Sequence, residues 1–421
     1  MTDMDTERAP QPTLPAPNRE RLLADLVTLA TFVEPETPGT TRRFPSQAHV
    51  IGRRWLRQRM DEAGLHTTID AAGNLLGYRA GREDLPPTFI GSHSDTVYGG
   101  GRYDGALGVL GALEVARTLA DAHITLRHPL IVADYLAEEA TDFGVSCIGS
   151  RTMTGGFDTA WLARTLNGQT LGEAIAAVGG HPDALGEAQR RPGEVAAALE
   201  LHIEQGPVLE SQGIGLAAVS GIVGILRAIF TLHGRPDHAG TTPMSLRRDA
   251  LAAAAEVISA VERIARGQPG AVGTVGRLEV GPNQSNVVPG VVELTAEMRH
   301  LDETVLDEIW GQFMAEAQAI CAARGVGLDI SALTRMRPAA PPPWLLELVL
   351  AACRELDPNA ITLPSGAGHD SAHLAAIAPS AMIFVPSVGG RSHCPEEETH
   401  PDDLVRGVAA LLRAVVAVDR R

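Results

Sequence analysis

The chain has 421 residues, with 35 basic and 51 acidic side chains and a formal net charge of −16. Domains average roughly 100–200 residues, so this length suggests two and allows three. Hydrophobic residues make up 44% and charged residues 20%, which excludes a disordered chain. The acidic excess argues against a nucleic-acid or anionic-membrane surface, since both need clustered Lys and Arg. No uninterrupted apolar run reaches the roughly 18 residues of a membrane span.

From its start to Arg21 the chain is polar and carries Pro10, Pro12, Pro15 and Pro17. Residues 1–18 therefore read as a flexible tail and not as a secretory signal. Residues 20–29 and 48–63 follow as amphipathic helices, with apolar positions three and four apart. A repeated plan comes next: a short apolar run, a polar cluster, then a helix. The run 87–92 ends at His93, and a helix over 107–120 follows it. The run 129–136 ends at Glu138-Glu139, and the run 195–203 contains His202. Between 219 and 332 the texture changes to strand, helix, strand, strand, helix, strand. Its strands read at 224–233, 272–280 and 291–299, and its helices at 247–266 and 305–324. This is the order of a small α+β sandwich, inserted in a larger unit whose α/β texture resumes after Pro341-Pro342-Pro343. A last apolar run, 381–385, leads into a loop ending at His393. The expected architecture is thus α/β: a catalytic domain over 19–218 and 333–421, with a mostly parallel sheet flanked by helices, and an inserted domain over 219–332.

In such sheets ligands sit beyond the carboxyl ends of the strands. His93, Glu138, Glu139, His202 and His393 all fall at or just past such ends. His93-Ser94-Asp95 suits a metal ligand followed by an orienting carboxylate. Asp104 reads two ways, as the cap of the next helix or as a carboxylate shared by two metal ions. Adjacent Glu138 and Glu139 at a buried rim would repel unless a cation compensates. Their side chains diverge on extended backbone, so one can bind metal while the other faces the attacking water. Cys147, Cys321, Cys353 and Cys394 lie far apart, without a C-x-x-C pair. They exclude a disulfide scaffold and a thiolate zinc site, and fit a reducing cytoplasm. Imidazole and carboxylate ligands without thiolate suit zinc, manganese, cobalt or nickel.

The order His93-x-Asp95, Tyr103-Asp104-Gly105, Glu138-Glu139, Leu201-His202-Ile203-Glu204-Gln205-Gly206-Pro207 and Ser392-His393-x-Pro395 resembles the di-metal aminoacylase and carboxypeptidase superfamily. Asp237-His238-Ala239-Gly240-Thr241-Thr242-Pro243-Met244, Asn286-Val287-Val288-Pro289-Gly290 and Ser365-Gly366-Ala367-Gly368-His369-Asp370 narrow the resemblance to its hydantoinase/carbamoylase branch. That branch comprises N-carbamoyl-L-amino-acid hydrolases, β-ureidopropionases and allantoate amidohydrolases.

The resemblance implies two divalent metal ions per subunit, zinc or else manganese, cobalt or nickel. His93, Asp104 and Glu139 would hold one, and Asp104, His202 and His393 the other. Asp95 would orient His93, and Glu138 would be the general base. His238 and Asn286 would polarise the scissile carbonyl, and Arg299 and Gln205 would grip a substrate carboxylate with Ser392 and Gly368 nearby. A homodimer through the inserted lid domain is also implied. The implied activity is hydrolysis of an N-carbamoyl-L-amino acid or related ureido acid to amino acid, ammonia and carbon dioxide. Alternatives are an allantoate amidohydrolase, an N-acyl-amino-acid amidase or dipeptidase, and a non-catalytic metal-binding scaffold. One departure stands out: the branch usually continues Gly-x-Arg-Phe after the Glu pair, and this chain has Ala140-Thr141-Asp142-Phe143. A basic position has become acidic beside the expected metals.

Overall fold

The computed structural model describes residues 14–421, so most of the expected tail lies outside the described residues. Of its remainder, Leu14 packs on the core and Asn18 caps the first helix, Arg19–Leu29, by accepting from the Arg21 N–H. The chain folds into two compact units. One runs to 220 and resumes over 341–363 and 369–421, and the other is formed by 221–340 and 364–368.

The strands are β1 (His66–Ile69), β2 (Leu75–Arg79), β3 (Thr88–His93), β4 (Leu130–Tyr135), β5 (Thr165–Leu166), β6 (Gln169–Thr170) and β7 (Ala197–Ile203). They continue with β8 (Ala217–Ile222), β9 (Gly224–His233), β10 (Val272–Gly281), β11 (Val291–His300), β12 (Gly327–Met336), β13 (Ile361–Ser365) and β14 (Ser380–Val385). The large sheet runs β1-β2-β4-β3-β7-β14-β8-β13. Its four central strands, β4, β3, β7 and β14, are parallel. Every residue of these four is buried, which is why each reads as a continuous apolar run. The edges are different: β1, β2 and β8 pair antiparallel, so the sheet is mixed.

The helix Ala106–Asp121 is mostly apolar and buries almost its whole length, its buried Glu114 and Arg117 pairing with Arg21 and Asp25. With the C-terminal helix Pro401–Asp419 it supplies much of the core over the parallel strands. Register then decides where chemistry can sit. His93 pairs with Tyr135, and His202 with Phe384, so the carboxyl ends of all four parallel strands lie at one edge.

The second unit has the all-antiparallel sheet β10-β11-β9-β12. Buried and partly exposed residues alternate along β9 and β11, the period-2 pattern of a sheet covered on one face. Two helices pack on it, Ala250–Gly267 and Glu303–Ala323, capped by Asp249 and Asp302. Phe230, Trp310 and Phe313 form an aromatic cluster in its core, with ring centroids 5.1–6.2 Å apart. Among the described residues no helix is long and apolar enough to cross a membrane.

Candidate metal centre

Five residues from separate segments meet at the carboxyl edge of the parallel strands. His93 ends β3 and His202 lies one residue before the end of β7. Asp104 precedes the helix Ala106–Asp121. Its side chain is not the cap of that helix: the cap position is Gly105, with no side-chain hydrogen bond. Its Oδ1 instead lies 3.2 Å from His202 Nε2 and 3.6 Å from His93 Nε2, and its Oδ2 lies 3.3 Å from His393 Nε2. His393 Nε2 is also 3.4 Å from Glu139 Oε1. Gly105 must be glycine, because its φ is +62° and an added Cβ would lie 2.4 Å from the His93 ring.

The imidazoles are oriented from behind. His93 Nδ1 is 3.1 Å from the Asp95 carbonyl and His202 Nδ1 is 2.9 Å from the Ile203 carbonyl. Donation there leaves the Nε2 lone pair directed into the cluster. The Asp95 carboxylate stands 3.5 Å from His93 Nδ1. It also accepts the backbone N–H groups of Glu138 and Glu139, each at 3.2 Å, and so organises the Glu pair as well. Strain gathers here too. Ala137, Gln205 and His393 have φ of 51°, 59° and 56°, a left-handed conformation that non-glycine residues keep only when their surroundings enforce it.

The electrostatics are those of a site short of positive charge. Burial pushes the Glu138 carboxyl well above its ordinary value, with Glu139 adding to the effect. Burial and the neighbouring Asp104 push Glu139 up to about 7. Burial alone would lower His93, but Glu138, Asp95 and Asp104 outweigh it and raise it well above 6.5. The hydrogen bond with Asp104 takes His393 up to about 9. Burial opposes ionisation of Asp104, yet His202 and His393 hold it well below the usual carboxylate range.

These donors fit divalent cations. Among the described residues, two trios that share Asp104 have all their ligand atoms within 4.8 Å of one another, His93, Asp104 and His202, and Asp104, Glu139 and His393; a third, Glu200, His202 and His369, shares His202 with the first. The division differs from the expected one, which placed Glu139 with His93 and His202 with His393. The cause is geometric: the two strand-end histidines approach Oδ1, while the loop histidine approaches Oδ2 and has Glu139 against it. Glu138 belongs to none of these trios; its Oε2 lies 3.7 Å from His93 Nε2.

Residues 81–417 match the family described as peptidase family M20/M25/M40. The chain belongs to that family. An N-carbamoyl-L-amino acid amidohydrolase of Geobacillus stearothermophilus is 40% identical over 398 residues, covering 94% of this chain and 97% of that protein. A second, from Paenarthrobacter aurescens, is 36% identical over 97% of this chain and 100% of its own length. A solved amidase of the hydantoinase/carbamoylase family from Burkholderia multivorans superposes with a TM-score of 0.89 at 34% identity, covering 97% of this chain and 100% of that one. Within the family the chain is therefore a hydantoinase/carbamoylase-branch member, a metal-dependent hydrolase of C–N bonds.

The expected substrate residues of this family member fall in two groups. Gln205 Nε2 donates to Asp104 Oδ2 at 2.7 Å and Ser392 Oγ lies 2.8 Å from the same oxygen, so here both sit against the shared carboxylate. His238, Asn286, Arg299 and Gly368 belong to the second unit. There His238 and Asn286 are brought together: His238 bridges Val287 and the Asn286 carbonyl accepts from the Ala239 N–H at 2.9 Å. His238 Nδ1 accepts from the Gly240 and Thr241 N–H groups at 3.0 and 3.2 Å. Arg299 pairs with Glu297 at 2.6 Å and donates to the Gly366 carbonyl.

Asp142, the departure from the branch pattern, is half exposed and pairs with Arg43 at 3.1 Å. Its charge is balanced at the surface and is unlike the buried ligand carboxylates. Sequence reasoning missed Arg42, which is 1% exposed and donates to the carbonyl oxygens of Ser94 and Leu29 at 2.7 and 2.8 Å, bracing the segment after His93. It also missed Glu200, which accepts the hydroxyls of Ser92 and Ser371 beneath the cluster, each at 2.6 Å. A buried Glu two residues before His202 was the available signal. A third residue missed in this way is Glu397.

Proposed function

We propose that this protein hydrolyses an N-carbamoyl-L-amino acid or a related ureido acid. The observation that carries the reading is Asp104, one carboxylate shared by two ligand trios, beside a buried Glu138 that joins neither. His93, Asp104 and His202 would hold one divalent ion and Asp104, Glu139 and His393 the other. Bound there, zinc, manganese, cobalt or nickel would make a water acidic enough to attack and would stabilise negative charge on the carbonyl oxygen. Glu138 takes a proton from the attacking water and delivers it to the leaving nitrogen, the part of a general base and then acid. Addition of water to the ureido carbon and loss of the amino acid leaves carbamic acid, which divides into ammonia and carbon dioxide. We assign carbonyl polarisation to His238 and Asn286, and substrate carboxylate binding to Arg299 with Gln205, Ser392 and Gly368. A planar guanidinium is the natural two-pronged donor to a carboxylate. The same proposal includes a homodimer joined through the second unit and a cytoplasmic location, which the four unpaired cysteines support.

The test is a panel of N-carbamoyl-L-amino acids, allantoate, N-acyl amino acids and dipeptides offered to metal-reconstituted protein. Ammonia release with kcat/KM highest on N-carbamoyl substrates is expected. Preference for N-acyl amino acids or dipeptides, with no ammonia released, would move the protein to the aminoacylase or dipeptidase reading.

A further inference from the structure

Asp104 is the one carboxylate common to both trios, and a residue far along the chain sets its position. Glu397 is 1% exposed. Its Oε1 accepts the backbone N–H groups of Tyr103 and Asp104, at 2.9 and 3.1 Å. Its Oε2 is 2.8 Å from Ser392 Oγ, and that hydroxyl is also 2.8 Å from Asp104 Oδ2. A hydroxyl has a single proton, so Ser392 serves one carboxylate or the other and links them in either case. The 101–104 segment is moulded on Glu397. A Cβ on Gly101 would lie 2.1 Å from Glu397 Cδ and 2.3 Å from its Cβ. Glu398 reinforces the clamp by accepting from Tyr103 OH at 3.0 Å and pairing with Arg102 at 3.2 Å.

The two trios do not depend equally on this clamp. His93 and His202 are 1% exposed and fixed at the ends of central strands. His393 sits on a loop in a left-handed conformation, with 49% of its side chain exposed. We propose that Glu397 is a positioning residue that assembles the Asp104, Glu139 and His393 trio by fixing the Asp104 backbone and tying it through Ser392 to the His393 loop. This rests on the metal-centre reading above. The role follows from donor and acceptor geometry, so it separates from the charge of Glu397. In Glu397→Gln the amide oxygen still accepts both N–H groups. The amide nitrogen donates to Ser392, whose proton then turns to Asp104.

The test is metal titration followed by calorimetry, with metal per chain read by elemental mass spectrometry after dialysis. Wild type should take up two ions per chain. Glu397→Ala should bind one ion as wild type does and the other roughly 10–100-fold more weakly, the usual cost of removing an outer-shell partner. Glu397→Gln should restore most of that loss. Gly101→Ala, which displaces an intact Glu397 from outside, should reproduce the selective loss and serves if Glu397→Ala does not fold. Two ions bound with wild-type affinity in both Glu397→Ala and Gly101→Ala would overturn this inference alone. Equal weakening of both ions without rescue by Gln would also overturn it, since that is a general structural role. A wild-type chain that binds no ions would overturn the metal-centre reading, and this inference with it.

Discussion

At the scale of single residues, the Glu138 and Glu139 pair shows why environment and not residue type assigns roles. Both are buried, both donate a backbone N–H to Asp95, and both are pushed toward protonation by burial. Only Glu139 lies in a ligand trio, against His393. Glu138→Gln keeps the shape and removes the base. It should lower kcat by roughly 10²–10⁴ with both ions retained. Glu139→Gln should instead reduce metal content. Steady-state kinetics paired with metal analysis would invert the assignment if the two phenotypes were exchanged. The convergence of His93, Asp104, Glu139, His202 and His393 was legible in their order along the chain. Asp104 alone read two ways, as a carboxylate shared by two metal ions or as a cap, because a lone Asp before a helix is most simply its cap. Here the cap position is Gly105 and the carboxylate turns to the histidines. Glu397 was illegible for another reason: its partners, Tyr103 and Asp104, are 294 and 293 residues away, and no local pattern encodes such a pairing.

At the scale of elements, the four parallel strands were legible because burial on both faces leaves an unbroken apolar run. The flanking strands were not. β1 and β13 are only four and five residues long and bury a single residue each, too short a stretch for a pattern to stand out. The second unit was read from its alternation, and β9, β10, β11 and both helices fall within a few residues of the expected ranges. Arg299 sits near the end of β11, held by Glu297 and the Gly366 carbonyl. That guanidinium is positioned as a planar fork, which lysine cannot reproduce. Arg299→Lys should raise KM for carboxylated substrates by about tenfold to a hundredfold, the loss of a charged hydrogen bond of roughly 1.5–3 kcal/mol. His238→Ala should mainly lower kcat. The Arg299 effect should shrink on an amide-blocked substrate. An equal effect on blocked and free substrates would make Arg299 a structural strand residue, tied only to Glu297.

At the scale of the whole molecule, a chain of net charge −16 concentrates buried carboxylates at one sheet edge, where only cations or protons relieve them. The departure at Ala140-Thr141-Asp142-Phe143 does not alter that balance, because Asp142 is paired with Arg43 at the surface. Unmet negative charge in a donor set of three histidines and two carboxylates is the physical basis of the account. Native mass spectrometry of purified, chelated and reconstituted protein, with turnover measured on the same samples, addresses it most directly. The expected result is a dimer carrying two divalent ions per chain, loss of both ions and of turnover on chelation, and recovery of both with zinc, manganese, cobalt or nickel. Full turnover by protein whose mass shows no bound metal would contradict it.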